Sequence, residues 1–212
     1  MLVAILMVIV VAAVSVAAYY SLNPQTPEPV VVTNFSDGAW ANYSSEFYQD
    51  GVFVSEGRLL VWANAGIYNG VDCWIYVENE TYTLEGGIVQ SNIETYTIDK
   101  TTFMGLHQKN EIYENGVNTY SKEFYPGEEG FNDQLLVFKS KTVQATDQSI
   151  TVPAGVFITT ELKGTSVFFV NGATYEATVW INPDVPCWGV VKFQYYLDGA
   201  LDTIYVLESY GS

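Results

Sequence analysis

The chain has 212 residues, with 24 Asp and Glu against 8 Lys and Arg and a single His, so its formal net charge is −16 at pH 7. Phosphate backbones need Lys and Arg to replace their condensed counterions, so this balance excludes nucleic acid as a partner class and disfavours anionic lipid headgroups. Hydrophobic residues at 49% and aromatics at 15% can build a core, which rules out wholesale disorder.

The charge is unevenly placed. The first charged side chain is Glu28 and the first basic one is Arg58, and residues 1–19 read MLVAILMVIVVAAVSVAAY. A helix over residues 1–20 would be about 30 Å long, the thickness of a bilayer's hydrocarbon core. Being apolar on every side, it would need burial all round. Three readings compete for it. A cleaved secretory signal wants a basic n-region, and a signal anchor wants Lys or Arg on its cytoplasmic flank. The third is a processed end, its basic leader cut away just before Met1. Small residues at helical spacing, such as Ala13 and Ala17, let neighbouring helices approach closely. Ala4, Val10, Ala13 and Ala17 are therefore candidate helix-packing positions, with a lone membrane anchor as the plainer alternative. Residues 23–29, NPQTPEP, hold three prolines in six residues. They end the helix near Leu22 and form a semi-rigid spacer.

An apolar helix over about residues 1–22, starting at a processed N-terminus and joined to a β-rich exported domain, resembles the archaeal type IV pilins and archaellins. The resemblance implies a short basic leader, a membrane-inserted helix before assembly, and a filament core of bundled helices afterwards. It implies a structural and adhesive role outside the cell, with further copies of the chain as the partner in a helical homopolymer. Bacterial type IV pilins usually carry a Glu near the start of the helix, where this chain has Ile5.

From Val30 onward the signals are β. Runs of Val, Ile, Thr, Tyr, Phe and Trp are broken at Asp50-Gly51, Asn69-Gly70, Asn115-Gly116, Asn171-Gly172 and Asp198-Gly199, all type I′ hairpin signals. The expected hairpins pair 46–49 with 52–56, 111–114 with 117–124, 165–170 with 174–181, and 190–197 with 201–208. In the last, Val191, Phe193, Tyr195 and Leu197 share one face, and Val190, Lys192, Gln194 and Tyr196 the other. No apolar period of 3.6 is sustained after residue 30. Sixteen Tyr and five Trp exceed what a modest core needs, so some aromatic surface is expected to meet a neighbour or glycans, unless the core itself absorbs them.

A second resemblance lies in the C-terminal half. Val152-Pro153-Ala154-Gly155-Val156-Phe157, Val179-Trp180-Ile181, Gly189-Val190-Val191-Lys192 and Leu207-Glu208-Ser209-Tyr210 look like secreted domains related to bacterial lipoprotein carriers. This implies an open, barrel-like sheet around an apolar cavity.

Few residues promise chemistry. Cys73 and Cys187 each precede a Trp and, in an exported protein, read as one disulfide, with two buried thiols as the alternative. Asn34, Asn42 and Asn79 begin Asn-X-Ser/Thr sequons and are glycosylation candidates. His107 has no nucleophile motif or metal-ligand spacing around it and reads as structural. Glu123, Glu128, Glu129 and Asp133 cluster around Gly127 and Gly130, where loosely held Ca²⁺ competes with plain acidic surface. A Glu/Asp pair from separate strands acting on glycosides is conceivable, but acidic surface is the commoner use. No catalytic, cofactor or metal residues are assigned.

The sequence thus predicts an N-terminal hydrophobic α-helix (residues 1–22), a Pro-rich linker (23–29) and an extracellular, all-β antiparallel domain (30–212), either a sandwich or a strongly curved open sheet. The leading function is a non-enzymatic filament subunit assembled through the helix. The alternative is a single-span, membrane-anchored exported β-domain that binds an apolar ligand or a partner protein.

Overall fold

The computed structural model describes residues 35–84, 86–129, 131, 140–167, 174–187 and 189–212, with only the backbone described at 140, 141, 166, 167, 174 and 175. The expected fold class is corrected here. The described chain is all-β: one antiparallel sheet of eleven strands, with no helix among the described residues and therefore none long and apolar enough to cross a membrane. It is a single sheet, not a sandwich of two. The expected helix (1–22) with Ala4, Val10, Ala13 and Ala17, the linker (23–29) and Asn34 lie outside the described residues.

The strands are β1 (Ala39–Gln49), β2 (Val52–Tyr68), β3 (Val71–Thr83), β4 (Val89–Asp99), β5 (Gly105–Glu114), β6 (Val117–Phe124), β7 (Ser140–Val152), β8 (Gly155–Val167), β9 (Thr174–Ile181), β10 (Val190–Leu197) and β11 (Ala200–Gly211). Their order across the sheet is β6-β5-β4-β3-β2-β1-β11-β10-β9-β8-β7. Two meanders therefore meet where the first strand pairs with the last, Trp40 opposite Gly211 and Phe47 opposite Thr203. β6 and β7 are the edges.

Four of the five Asn-Gly or Asp-Gly pairs form the expected turns. Asp50, Asn69, Asn115 and Asp198 have φ between 49° and 52°, and the glycine after each is also at positive φ. Two successive left-handed residues give a type I′ turn, whose twist matches that of the strands it joins. Asn171-Gly172 lies outside the described residues. The hairpin arms are longer than expected, β2 running seventeen residues because its alternation continues through Gly57 and Gly66.

The sheet curves, and its concave side holds the core. At the end nearest residue 35, here the lower end, Ala39, Ala41, Tyr43, Val61, Ala63, Tyr76, Val179, Val191, Phe193 and Leu207 pack in one buried cluster. Val152 and Phe157, from the far edge of the sheet, belong to the same cluster. The β7–β8 turn is drawn against β11, where the Ala154 amide donates to the Leu207 carbonyl at 3.3 Å. Small side chains at Ala39, Ala41, Ala63 and Ala177 leave room for the curl. Tyr43, Tyr76, Tyr96 and Tyr195 are buried, so the core itself absorbs much of the tyrosine excess. As expected, Val191, Phe193 and Tyr195 are buried on one face of β10 while Lys192, Gln194 and Tyr196 are half-exposed, but Val190, expected on the outer face, is buried in the core, where a register shift before Lys192 breaks the alternation, and Leu197 is only half-buried.

Candidate functional site

The expected disulfide is not formed: Cys73 and Cys187 are free and buried. Cys187 belongs to the concave core, its thiol 3.6 Å from the Ala39 carbonyl. Cys73 alternates along β3 with Trp74 and Tyr76, which face that core, and so projects from the other side of the sheet. A disulfide needs Cβ vectors that converge, and these diverge. Burial pushes the Cys187 thiol up to about 12 and raises that of Cys73 as well. Neither should react with Ellman's reagent in the folded protein, and two thiols per chain should appear on unfolding without reductant. Fewer than two would restore the disulfide.

Asn42 and Asn79 stand on the convex face, on either side of Leu60 in one cross-strand row. Both are half-buried, and the hydroxyls of their sequons are engaged, Ser44 with Glu208 at 2.8 Å and Thr81 with Ser91 at 3.0 Å. His107 lies between the rings of Tyr68 and Tyr125, with Nε2 3.5 Å from Glu123. The carboxylates near Gly127 have protein partners: the Tyr125 hydroxyl donates to Glu123 at 2.9 Å and its amide to Glu128 at 3.0 Å. Asp133 and Trp188 lie outside the described residues.

The site that emerges is elsewhere, on the upper half of the concave face. Glu78, Glu80 and Tyr82 continue the face that Tyr76 begins on β3. Register places Glu94 opposite Glu78, Asn92 opposite Glu80 and Gln90 opposite Tyr82. Asn110 of β5 lies beside Glu94, and Lys122 of β6 beside Asn110. The Tyr82 hydroxyl accepts from Gln90 at 2.7 Å and from Asn92 at 3.2 Å. The Tyr96 hydroxyl donates to Glu94.

From the other meander, the Tyr205 hydroxyl donates to Glu80 at 2.7 Å. Tyr205 stands on β11, three strand spacings from β3, which is roughly 14 Å on a flat sheet. The bond closes because the sheet curls and because the residues between are small: Ser45 pairs with Tyr205 and Gly57 pairs with Ser45. The Ser45 hydroxyl is buried and has no hydrogen-bond partner.

Burial holds the Glu78 carboxyl well above the usual carboxylate range, the facing Glu94 adds to the rise, and the hydrogen bond to Tyr76 opposes it. Burial also raises Glu80, against the Tyr205 hydrogen bond. A raised carboxyl keeps its proton in the folded state where the unfolded chain has released it. Stability is thus greatest below the ordinary Glu value of about 4.3 and is lost as pH rises through the raised one. Glu78→Gln should therefore raise the urea midpoint at pH 8 and leave it nearly unchanged at pH 4. Equal midpoints for the two proteins at pH 8 would contradict the buried, protonated acid.

Sequence reasoning treated these carboxylates as acidic surface. A signal was present in the period-two polar runs Glu78-x-Glu80-x-Tyr82, which follows the buried Tyr76, and Gln90-x-Asn92-x-Glu94-x-Tyr96, which ends on the buried Tyr96. What it lacked was the register that joins them. Of the residues behind the carrier-like resemblance, Val152, Phe157, Val179, Val190, Val191 and Leu207 pack in the core, while Val156 and Tyr210 are exposed.

No family model matches the chain, and no curated protein matches it. Among solved structures it is similar to a Bacteroides fragilis protein with a YmcC-like fold, at 15% identity over 85% of this chain and 98% of that one, with a TM-score of 0.41.

Proposed function

We propose that this chain is an exported binding protein, retained at the cell surface through its apolar N-terminal residues, whose upper concave face takes a small polar ligand or a side chain of a partner. The observation that carries the reading is the cross-strand set Glu78/Glu94, Glu80/Asn92 and Tyr82/Gln90, half-buried on the open face of a curved sheet. Buried polar groups are costly unless matched. Among the described residues each carboxylate is met by one tyrosine hydroxyl of the scaffold, Glu78 by Tyr76, Glu94 by Tyr96 and Glu80 by Tyr205. The test is a thermal-shift screen of the full chain in detergent micelles with neutral, cationic and anionic small polar compounds, followed by Tyr82→Ala. Hits lost in the variant support the reading, and hits indifferent to it, or none at all, reject it.

A second reading, a subunit of an extracellular filament, rests on the uncharged, apolar stretch before Glu28. Negative-stain images of native material should then show fibres, and Val10→Asp should abolish them by burying an unpaired charge. Fibres unchanged in that variant, or dispersed particles alone, would reject it.

A further inference from the structure

We propose that the tip of the β1–β2 hairpin is a docking surface for a partner protein, engaged by a segment of that partner that carries apolar and basic side chains together. This surface goes beyond the concave face and would stand without a ligand there.

The first argument is topological. β1 and β2 outrun their neighbours in the sheet. The last pair between β1 and β11 is Phe47 with Thr203, and the last between β2 and β3 is Gly57 with Tyr82. Above Tyr82, β3 continues only with β4, Thr83 opposite Val89. Residues 48–55 therefore form a two-stranded ribbon around the turn at Asp50-Gly51, with Tyr48 opposite Phe53 and Gln49 opposite Val52. With no paired strand on either flank among the described residues, the ribbon covers little of itself. Val52, Phe53 and Val54 are 67%, 54% and 58% exposed, and none of the three belongs to the buried core.

The second argument is hydrophobic. Single apolar side chains on a surface are ordinary, but three consecutive ones in water are a liability unless something covers them. In a regular strand the alternation would send the middle one to the opposite face. Here the register steps between Phe47 and Tyr48, which leaves Val54 as an extra residue on β2, and such a bulge re-aims its side chain. The Tyr48 and Phe53 rings stand edge to face with centroids 5.9 Å apart, and the Tyr48 hydroxyl donates to Glu46 at 2.5 Å. Rings already held in place lose little freedom when a partner docks on them, which favours association.

The third argument is charge complementarity, and it selects the occupant. Glu46 and Glu56 stand directly opposite each other, both exposed, one step below Tyr48 and Phe53 on the same convex face. Like charges so placed repel. Arg58 follows Glu56 on that face, opposite Ser44, and the ion pairs found among the described residues do not include it. Asp50 adds a further carboxylate at the turn. A partner's guanidinium or ammonium set between Glu46 and Glu56 relieves the repulsion, while its aliphatic stem lies along the ring pair, whose faces also attract a cation. A second copy of this chain would bring the same carboxylates and a net charge of −16, which opposes self-association through this tip. Anionic lipid is opposed for the same reason.

Fluorescence anisotropy of the full chain in non-ionic detergent micelles tests this with three labelled peptides, the micelles alone serving as the blank. The first peptide alternates arginine and leucine over seven residues, the second replaces its arginines with glutamate, and the third replaces its leucines with serine. The arginine-leucine peptide should bind, the glutamate peptide should not, and the arginine-serine peptide should bind at least about tenfold more weakly than the first. Phe53→Ser should weaken the first peptide by about tenfold, whereas Ile158→Ser, at a comparably exposed apolar position on β8, should leave it unchanged. Equal binding of the arginine-serine peptide, or equal loss in both variants, would mean unspecific attraction to an acidic chain and overturns the inference. Binding of the glutamate peptide, or of none of the three, overturns it as well. Sedimentation of the chain without peptide tests the other occupant: self-association that Phe53→Ser abolishes would give the tip to a second copy and reject the basic partner. Should Phe53→Ser fail to fold, the comparison of the three peptides on the wild type decides the matter.

Discussion

Replacing Phe193 with alanine is expected to lower the unfolding free energy by about 3–5 kcal/mol, the range for deleting a buried aromatic ring. Phe193 is 2% exposed at the centre of β10. Its ring lies 4.1 Å from that of Tyr195 in an edge-to-face pair and 5.9 Å from that of Tyr205 in a stack. Its strand sits between β9 and β11, so the cavity would open beneath the place where the two meanders are joined. Close-packed walls relax only partly into such a space, and the cost combines lost transfer energy with lost contacts. Tyr205 would also lose one of its supports and hold Glu80 less firmly. Equilibrium urea denaturation measures the loss, with Phe193→Leu as a partly filled control expected to cost clearly less. A loss under about 1 kcal/mol for the alanine variant would show that the two meanders are not held through this ring.

The second large effect is expected at Gly57. An added Cβ would sit 2.7 Å from the Thr81 carbonyl oxygen, 2.9 Å from Ser45 Oγ and 3.1 Å from Phe47 Cε2. The first of these is backbone of the neighbouring strand, so no side-chain rotation relieves it. Gly57→Ala should cost about 1–3 kcal/mol as overpacking, and Gly57→Val more. Ser45→Ala tests the other side of the contact. Removing an unpartnered hydroxyl without leaving a partner stranded should be neutral or slightly stabilising. Thermal unfolding of the three variants gives the order, and a Gly57→Ala protein as stable as the wild type would mean that β2 and β3 can part there.

Glycines 57 and 66 illustrate what was hard to see in advance. Both interrupt an otherwise β-prone run, and the arm expected over 52–56 stops just before the first of them. In the structure the strand passes straight through each, because Gly57 admits a close approach and Gly66 faces Ile75 and Cys73. A glycine in a strand signals either an end or a tight contact. Only the neighbour decides which.

The hairpins were legible because a type I′ turn is a local event. Two residues that accept positive φ suffice, and Asp50-Gly51, Asn69-Gly70, Asn115-Gly116 and Asp198-Gly199 carry that information by themselves. The faces of β10 from Val191 to Tyr196 were legible for a similar reason, since regular alternation has period two, but Val190 was not, because the bulge against β9 that turns it into the core is a property of the pairing. The cysteine pairing was not. Cys73 and Cys187 read as partners by count and compartment, and the parity of Cys73 against Trp74 and Tyr76 became decisive only once the core was known to lie on the concave side.

By itself, then, the sequence determined an acidic, β-rich chain, its type I′ turns, the alternation of its strands and an apolar N-terminal stretch free of charge. The tertiary structure decided that the strands form one sheet rather than two, because the pairing of β1 with β11 is a contact between residues more than 150 apart that no local pattern encodes. It also decided which carboxylates face each other. Glu78 and Glu94 resemble any of the other acidic residues until an eleven-strand register sets them opposite one another and curvature half-buries them. Charge is a property of the residue, but the cost of charge belongs to the fold.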